Sequence, residues 1–244
     1  MKIETQDLFN TKFVNTNLQG FVDVLKMHLQ ERKKAFIVTA NPITVLNSKD
    51  NHQFEEALQS ADYITPDGIG ILLAAKFMKK PLQERVTGFD VMIKLLEVAN
   101  QNCYQIYLYG AHRDILNLAV LNIQRDYPNI EICGYSDGYQ SSDEEQQKVA
   151  AEIREKQPDL IFVALGVPKQ EVWIYEHLDQ FEKGVFIGVG GSFDVLSGQV
   201  KRAPIIYQKL GIEWVYRMLS EPSRLKRITF IPKFFVETVK EKYK

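Results

Sequence analysis

The stretch Leu160-Ile-Phe-Val-Ala-Leu-Gly166 is the clearest indication of the fold. Six apolar residues follow one another and end at a glycine, which predicts a short strand that is buried on both faces. Comparable runs occupy residues 36–40, 106–110 and 185–191, and weaker candidates lie at 61–65 and 130–134. Strands that are apolar on both faces are typical of parallel sheets with helices packed on each side.

Segments with helical periodicity separate these strands. Apolar residues recur at spacings of three and four in 88–101, and the pattern repeats in 114–127 before Pro128. Hydroxyl and acidic residues open a third helix at 141, which we expect to run to about 157. The alternation predicts an α/β fold with a doubly wound, largely parallel sheet, helices on both faces and a C-terminal helical appendage.

The character of the chain changes near residue 198. We assign residues 1–198 to the α/β domain and residues 199–244 to the appendage. Within the appendage, the sequence predicts one helical stretch at 204–219 and a last amphipathic segment at 232–243. No apolar run has the roughly 18 to 20 residues that are needed to cross a bilayer, so the expected membrane contact is peripheral.

The charge of the protein is divided between these two parts. The 244 residues carry a formal net charge of −1. From residue 200 onward, eleven Lys and Arg residues stand against four Asp and Glu residues, a net charge of +7 that leaves −8 for residues 1–199. A basic tail on an acidic body predicts contact with an anionic surface, which could be nucleic acid or lipid headgroups.

Composition narrows the class of protein further. Hydrophobic residues make up 45% and charged residues 25%, which is typical of a globular protein with a packed core. Two cysteines cannot form a disulfide framework or a four-ligand zinc site, and the N-terminus lacks the layout of a signal peptide. We therefore expect a cytoplasmic location.

Candidate site residues follow the predicted strands, because ligands of open parallel sheets bind at the carboxyl ends of the strands. Thr39 and Asn41 follow the run at 36–40, although Asn41 could equally begin the next helix. Asp67 lies in Pro66-Asp-Gly-Ile-Gly70, where it could cap a helix or accept a proton from a substrate hydroxyl.

Two further strand ends carry polar or small residues. Lys169 and Gln170 follow Gly166-Val-Pro, and Gly190, Gly191 and Asp194 belong to Gly188-Val-Gly-Gly-Ser-Phe-Asp194. Glycines before a helix allow backbone N–H groups to approach a phosphate. The run lacks the dinucleotide fingerprint, because Phe193 stands where the third glycine belongs.

Positive side chains are the candidates for neutralising a diphosphate, because the sequence offers no metal site. The four histidines are far apart and predicted at the surface or its boundary, and no Asp-x-Asp pair is present. The candidates could instead form a solvated basic face. They are Arg85, Arg217, Arg224 and Arg227.

Seven ordered motifs together resemble the WecG/TagA/CpsF glycosyltransferases over nearly the whole chain. They are Thr39-Ala-Asn-Pro42, Pro66-Asp-Gly-Ile-Gly70, Arg85-Val-Thr-Gly88, Tyr109-Gly-Ala111, Gly166-Val-Pro-Lys-Gln-Glu171, Gly188-Val-Gly-Gly-Ser-Phe-Asp194 and Lys201-Arg-Ala-Pro204.

The resemblance implies an inverting transfer without a metal or other cofactor. It implies that N-acetylmannosamine passes from its UDP derivative to the 4-hydroxyl of GlcNAc on undecaprenyl diphosphate, an early step of wall teichoic acid synthesis. Relatives use N-acetylmannosaminuronate or glucose instead, and no residue here distinguishes these donors. The resemblance also implies a dimer or trimer formed through the α/β body.

The resemblance further implies roles for individual residues. Asp67 would be the general base, with Thr39 and Asn41 in the same pocket and Arg85 and Gln170 in contact with substrate. Gly190, Gly191 and Asp194 would belong to the nucleotide site. The tail arginines at 217, 224 and 227 would reach the pocket when the tail binds the inner face of the cell membrane.

Two other classes remain as alternatives from the residues alone. A nucleotide-dependent oxidoreductase would use a similar sheet, but the glycine fingerprint is missing. A module without enzymatic activity could bind nucleic acid through the tail. The resemblance favours lipid over nucleic acid as the anionic partner.

Overall fold

The computed structural model describes residues 3–139, 142–209, 211–220 and 228–243, with no side-chain description for residues 209, 217 and 220. Eight strands alternate with helices along most of the chain. The strands are β1 (Thr5–Leu8), β2 (Thr11–Val14), β3 (Lys34–Ala40), β4 (Tyr63–Pro66), β5 (Gln105–Gly110), β6 (Glu131–Ser136), β7 (Leu160–Ala164) and β8 (Gly184–Gly188). The α-helices are α1 (Leu18–Gln30), α2 (Pro42–Asp50), α3 (His52–Ser60), α4 (Ile69–Phe77), α5 (Gly88–Asn102), α6 (Arg113–Asp126), α7 (Asp143–Lys156), α8 (Lys169–His177), α9 (Ser192–Leu196), α10 (Ile205–Lys209), α11 (Glu213–Ser220) and α12 (Phe230–Lys242).

All eight strands form one sheet in the order β1-β2-β4-β3-β8-β7-β5-β6. The first two strands pair antiparallel as a hairpin at one edge, and the other neighbouring strands pair in parallel. The predicted α/β class with a largely parallel sheet is therefore confirmed. The central strands β3, β8 and β7 end at the same edge, which is where the polar strand-end residues come together.

Residues of the central strands alternate between two apolar layers. In β3, Ile37 belongs to an apolar cluster with residues of α1, α5 and α6, whereas its neighbours Phe36 and Val38 belong to a second cluster with residues of α3, α4, α7 and α8. Successive side chains of a strand point to opposite faces of the sheet, so a sheet covered on both sides needs apolar residues at nearly every position. This explains the uninterrupted apolar runs in the sequence.

Two elements differ from the sequence-based expectations. The hairpin β1–β2 was not predicted; Thr11 and Phe13 are buried, whereas Lys12 between them is exposed. The predicted helical stretch at 204–219 is interrupted, because the chain forms α10 and α11 with Gly211 between them at φ +71°. A left-handed residue cannot continue an α-helix, and glycine adopts this conformation without a side-chain clash.

The last three helices pack on the carboxyl edge of the sheet and on its neighbouring helices. Phe234 of α12 is 7% exposed, and its ring centroid lies 5.3 Å from that of Phe9 in the β1–β2 turn. Lys49 of α2 forms an ion pair with Glu237 of α12. Within the described ranges, no helix combines the length and apolar character that spanning a bilayer requires.

Candidate active site

A cavity of about 430 Å³ opens at the carboxyl edge of the sheet. Its volume is within the range of pockets that hold small-molecule ligands. The loops after β3, β4 and β8 form its floor, and the helices of the C-terminal segment form a wall. The lining residues are Asn41, Pro42, Ile43, Asp67, Gly68, Ile69, Gly70, Leu73, Arg85, Thr87, Phe89, Val189, Ser192, Gly211, Glu213, Trp214, Met218, Phe230, Ile231 and Phe234.

Asp67 lies in this floor between β4 and α4. Its backbone N–H donates to the carbonyl of Ala40 at 2.9 Å, and its Oδ2 accepts from the N–H of Gly88 at 3.3 Å. The helix α4 is capped by Gly68 without a side-chain hydrogen bond, so Asp67 is not its side-chain cap. The carboxylate is thus held at the cavity by β3 and α5, beside a helix N-terminus whose partial positive charge favours anions.

Asn41 lines the cavity and also caps a helix. Its Oδ1 accepts from the N–H groups of Ile43 at 2.9 Å and Thr44 at 3.3 Å at the start of α2. Its own backbone N–H donates to Oγ1 of Thr44, which completes a capping box. Asn41 therefore begins the next helix, and the cap fixes its side chain at the edge of the pocket, where a role toward substrate stays a prediction.

Thr39 lies behind the cavity lining. Its Oγ1 donates to the carbonyl of Gly188 at 3.2 Å and links β3 to β8. A Cβ on Gly88 would lie 2.9 Å from the same Oγ1. Thr39 therefore allows α5 to begin close to the sheet, which places the Gly88 N–H at Asp67.

Arg85 lies in the cavity wall within a network of charges. Its Nη2 is 3.5 Å from Oε2 of Glu213, which is 6% exposed and belongs to α11. The other carboxylate oxygen of Glu213 is 3.5 Å from Nε of Arg202, whose Nη2 lies 2.6 Å from Asp90 on α5. Glu213 therefore joins the C-terminal segment to the α/β body through two guanidinium groups.

The sequence analysis did not identify Glu213 or Arg202 as candidates. Arg202 stands in the motif Lys201-Arg-Ala-Pro204, and Glu213 is one of the few acidic residues of a basic tail. The signal in the sequence was an isolated acidic residue among basic ones, because a carboxylate that becomes buried there needs positive partners. The ion pair between Arg85 and Glu213 joins residues more than 120 positions apart, so it follows only from the folded chain.

The opening of the cavity is apolar and aromatic. Leu73 of α4 and Ile231 of α12 are 59% and 49% exposed, although both line the cavity. Trp214 is 44% exposed, and Phe89 lies under the guanidinium of Arg202, 4.7 Å from ring centroid to Cζ. The site thus combines a polar floor with an apolar mouth.

The predicted phosphate loop after β8 is organised by Gln170. The Oε1 of Gln170 accepts from the N–H of Gly190 at 3.0 Å, and its Nε2 donates to Glu171 at 2.8 Å. A Cβ on Gly188 would lie 2.5 Å from the same Nε2. The amide of Gln170 is 2% exposed and shapes the turn that joins the cavity residues Val189 and Ser192.

Glu171 is fully buried beside Gln170. Its Oε2 has no hydrogen-bond partner among the residues that the structure describes. Burial disfavours the charged form and raises the pKa of Glu171 to about 7, opposed by the hydrogen bond from Gln170. The carboxyl of Glu171 is therefore partly protonated near neutral pH.

The remaining predicted site residues lie away from the cavity lining. Lys169 is exposed at the start of α8, and Gly191 and Asp194 lie at α9, where the Asp194 carbonyl accepts from Val200 N–H at 3.1 Å. Arg217 belongs to α11, and its side chain lies outside the described part of the chain, as do Arg224 and Arg227 as whole residues.

Metal-ligating residues are scattered. In the described ranges, no group of three or more His, Cys, Asp and Glu side chains could hold a metal ion. The prediction of surface histidines is wrong for His177, which is 3% exposed and stacks on Trp173 with ring centroids 4.7 Å apart.

Comparison with known proteins shows the family to which the chain is similar. The model of the glycosyl transferase WecG/TagA/CpsF family matches residues 6–244. Among the relatives, an N-acetylglucosaminyldiphosphoundecaprenol N-acetyl-beta-D-mannosaminyltransferase of Bacillus subtilis strain 168 is 42% identical, over 98% of this chain and 93% of its own. Proteins with the same name from Bacillus spizizenii strain W23 and Staphylococcus aureus strain MW2 are 41% and 39% identical, each over 98% of this chain and 92% and 93% of their own.

Proposed function

Because the chain belongs to the WecG/TagA/CpsF glycosyltransferase family, we propose that it transfers N-acetylmannosamine from UDP to the GlcNAc of undecaprenyl diphosphate. The relatives described above are named for this reaction. The seven motifs that resemble the family lie at strand ends of the sheet, at the start of α5 and at the start of the C-terminal segment. One structural observation carries the proposal: Asp67 and Arg85 line one cavity that also has an apolar mouth.

The chemical step follows from the position of Asp67. Its carboxylate accepts the proton of the acceptor 4-hydroxyl as O4 attacks the anomeric carbon of N-acetylmannosamine. The bond from that carbon to the UDP oxygen breaks at the same time, so the α-linked donor gives a β-linked product. The proton ends on Asp67, and the bonding electrons leave with UDP.

Negative charge on the departing UDP needs positive groups. Arg85 lines the cavity, and so do Ile69 and Gly70 of the first turn of α4, where a helix N-terminus favours negative charge. Both act in a site that is partly shielded from water, where fixed donors stabilise developing charge most effectively. By resemblance, Arg217, Arg224 and Arg227 add to this set when the tail is bound at the membrane.

The polar loop after β8 completes the proposed nucleotide site. Gln170 holds Gly190 at φ +52°, and Gly191 and Asp194 follow directly. Lys169 lies at the start of the neighbouring helix α8. In this proposal Gln170 supports the nucleotide by shaping the turn, since both polar atoms of its amide already have protein partners.

The acceptor determines where the enzyme works. A polyprenyl diphosphate stays in the membrane, so we propose peripheral attachment to the inner face of the cell membrane through the basic tail, with each Lys or Arg near anionic lipid contributing about 1 kcal/mol. We also propose self-association through the α/β body as a dimer or trimer, which sedimentation equilibrium would measure directly.

A donor panel tests the reaction. The protein is incubated with a lipid-linked GlcNAc diphosphate and, separately, with UDP-N-acetylmannosamine, UDP-N-acetylmannosaminuronate and UDP-glucose. We expect acceptor-dependent UDP release with N-acetylmannosamine as the sugar. Release with another donor alone would move the assignment to that sugar, and release with none would contradict the proposed function.

A further inference from the structure

Helix α4 exposes an apolar face that the core does not use. Its buried residues Ile71, Ala74 and Ala75 pack on the sheet, whereas Leu73 and Phe77 are 59% and 40% exposed. The exposed residues 73, 76 and 77 recur at spacings of three and four, so they form one stripe along the helix, and the exposed Lys79 and Lys80 follow its end. Large exposed apolar side chains in a continuous stripe mark an interaction surface.

The charge around this stripe is positive. Residues 68–83 contain three lysines and no Asp or Glu, although residues 1–199 carry a net charge of −8. Lys76 and Lys79 are exposed, and Lys80 donates to the carbonyl of Asp7 at 2.9 Å. Apolar side chains flanked by lysines on one helical face are suited to the headgroup region of an anionic bilayer.

The stripe is continuous with the C-terminal helix. A Cβ on Gly70 would lie 3.8 Å from the ring of Phe234, and Nζ of Lys242 lies 3.7 Å from the ring centroid of Phe77. The helices α4 and α12 therefore run side by side in the same direction from the cavity. On α12, large apolar side chains are also exposed, at Ile231, Phe235, Val236 and Tyr243.

The cavity opens onto these two helices. Leu73 of α4 and Ile231 of α12 both line it, and both are about half exposed. An occupant that covers the two helices would therefore also cover the mouth of the cavity. The positive charge of both helices favours an anionic lipid surface over a second copy of this acidic body.

We infer that α4 is a second membrane-binding element, carried by the α/β body and independent of the basic tail. Leu73 and Phe77 insert among the headgroups, and Lys76 and Lys79 pair with lipid phosphates. The cavity mouth then faces the bilayer, so the prenyl chain of the proposed acceptor passes along Leu73 and Ile231 without entering water. This last step rests on the proposed function, whereas the lipid binding itself does not.

Vesicle binding by the full chain tests the inference. The double variant Lys76→Gln/Lys79→Gln is compared with wild type in co-sedimentation with phosphatidylcholine vesicles that contain phosphatidylglycerol. We expect binding to weaken about fivefold for each lysine removed. A matched control, Lys33→Gln/Lys148→Gln, removes the same charge from the amino edge of the sheet and from α7, and we expect less than about a twofold change.

A second variant tests the apolar part of the stripe. Phe77→Ser keeps the charge of α4 and should weaken binding about fivefold on the same vesicles, because a buried aromatic side chain contributes on the order of a kilocalorie or more. Far-UV circular dichroism and the thermal midpoint verify that each variant is folded. Wild-type binding by either folded α4 variant would overturn the inference, and so would an equal loss in the control pair.

Two further measurements separate this inference from its rivals. If α4 instead covers a second copy of the chain, the lysine variant will change the sedimentation mass and leave vesicle binding intact, which would overturn the inference. Transfer to a water-soluble, short-chain acceptor should be unchanged in the lysine variant, whereas transfer to acceptor in vesicles should fall. If the wild-type protein shows no transfer to either acceptor, the proposed function is refuted, whereas the result on vesicle binding still stands.

Discussion

In the proposed reaction, the chemistry of the site depends on the carboxylate of Asp67. The side chain accepts a hydrogen bond from the N–H of Gly88, the first residue of α5, and the N-cap of α4 is Gly68 rather than Asp67. Its position rather than its type indicates the role, because an aspartate after a strand is more often a cap. The first prediction therefore concerns this residue.

Asp67→Asn should abolish transfer while the protein stays folded and binds UDP. The amide preserves the shape but cannot accept the proton, and loss of a general base typically costs 10² to 10⁴-fold in rate. Turnover is measured as UDP release, and UDP affinity by calorimetry. Asp50→Asn, at the exposed end of α2, is the matched control; full activity in the Asp67 variant would refute the base assignment.

Glu171 makes the stability of the protein depend on pH. Its pKa is about 7 in the folded protein and 4.5 ordinarily, so the folded state binds this proton more tightly than the unfolded chain. The contribution is fully present below pH 4.5 and is lost as the pH rises to about 7.

Glu171→Gln should remove this dependence. The variant keeps an acceptor for Gln170, and its stability relative to wild type should rise by up to about 3 kcal/mol between about pH 5 and about pH 8. Urea unfolding at the two pH values measures the change. Glu176→Gln, exposed on the same helix, should show no such trend, and parallel curves for wild type and the Glu171 variant would contradict the prediction.

At the scale of elements, Glu213 determines how α11 meets the body. The carboxylate is 6% exposed and lies 3.5 Å from both Arg85 and Arg202. Removing one partner of a buried charge network leaves the other charges without compensation, which costs more than the network contributes. The wall of the cavity therefore depends on one acidic residue in a basic segment.

Glu213→Ala should lower the free energy of unfolding by about 1 to 3 kcal/mol and expose the C-terminal segment. Denaturant unfolding measures the first effect, and limited proteolysis after residue 199 measures the second. Glu241→Ala, which removes an acidic residue from α12, should have little effect. An equal loss in both variants would show that the effect comes from net charge alone.

At the scale of the whole molecule, the C-terminal segment completes the site. Seven of the lining residues follow residue 199, and they supply most of the aromatic wall. A body without this segment keeps Asp67 and Arg85 but has an open crevice instead of a cavity. Binding energy for the acceptor would then be lost together with the membrane contact.

Truncation after Gly198 should therefore abolish transfer and weaken binding to anionic vesicles, leaving only the contribution of α4. Both are measured as for wild type, with circular dichroism to establish that the truncated body retains its α/β structure. Added salt should weaken vesicle binding of the full chain, since exposed charges are screened within about 10 Å at 0.1 M. An active truncated protein, or one that binds vesicles as tightly as the full chain, would contradict the role of the tail.

Much of the fold and part of the site were predictable from local sequence. The parallel strands β3, β5, β7 and β8 are apolar on both faces, and that pattern depends only on neighbouring residues. Asn41 and Asp67 were found because they follow strand ends, and Arg85 because it is a positive side chain in the Arg85-Val-Thr-Gly88 motif. The hairpin β1–β2 was missed because four-residue strands with one exposed face leave little periodicity to detect.

Tertiary structure alone decided how distant parts of the chain meet. The sequence by itself determined the fold class, the family and the division of charge between −8 and +7, because each depends on local pattern or composition. The Glu213 link to Arg85, the support of Gly190 by Gln170, and the shared surface of α4 and α12 join residues far apart in the chain. Such contacts depend on packing and burial in three dimensions, which local pattern does not encode.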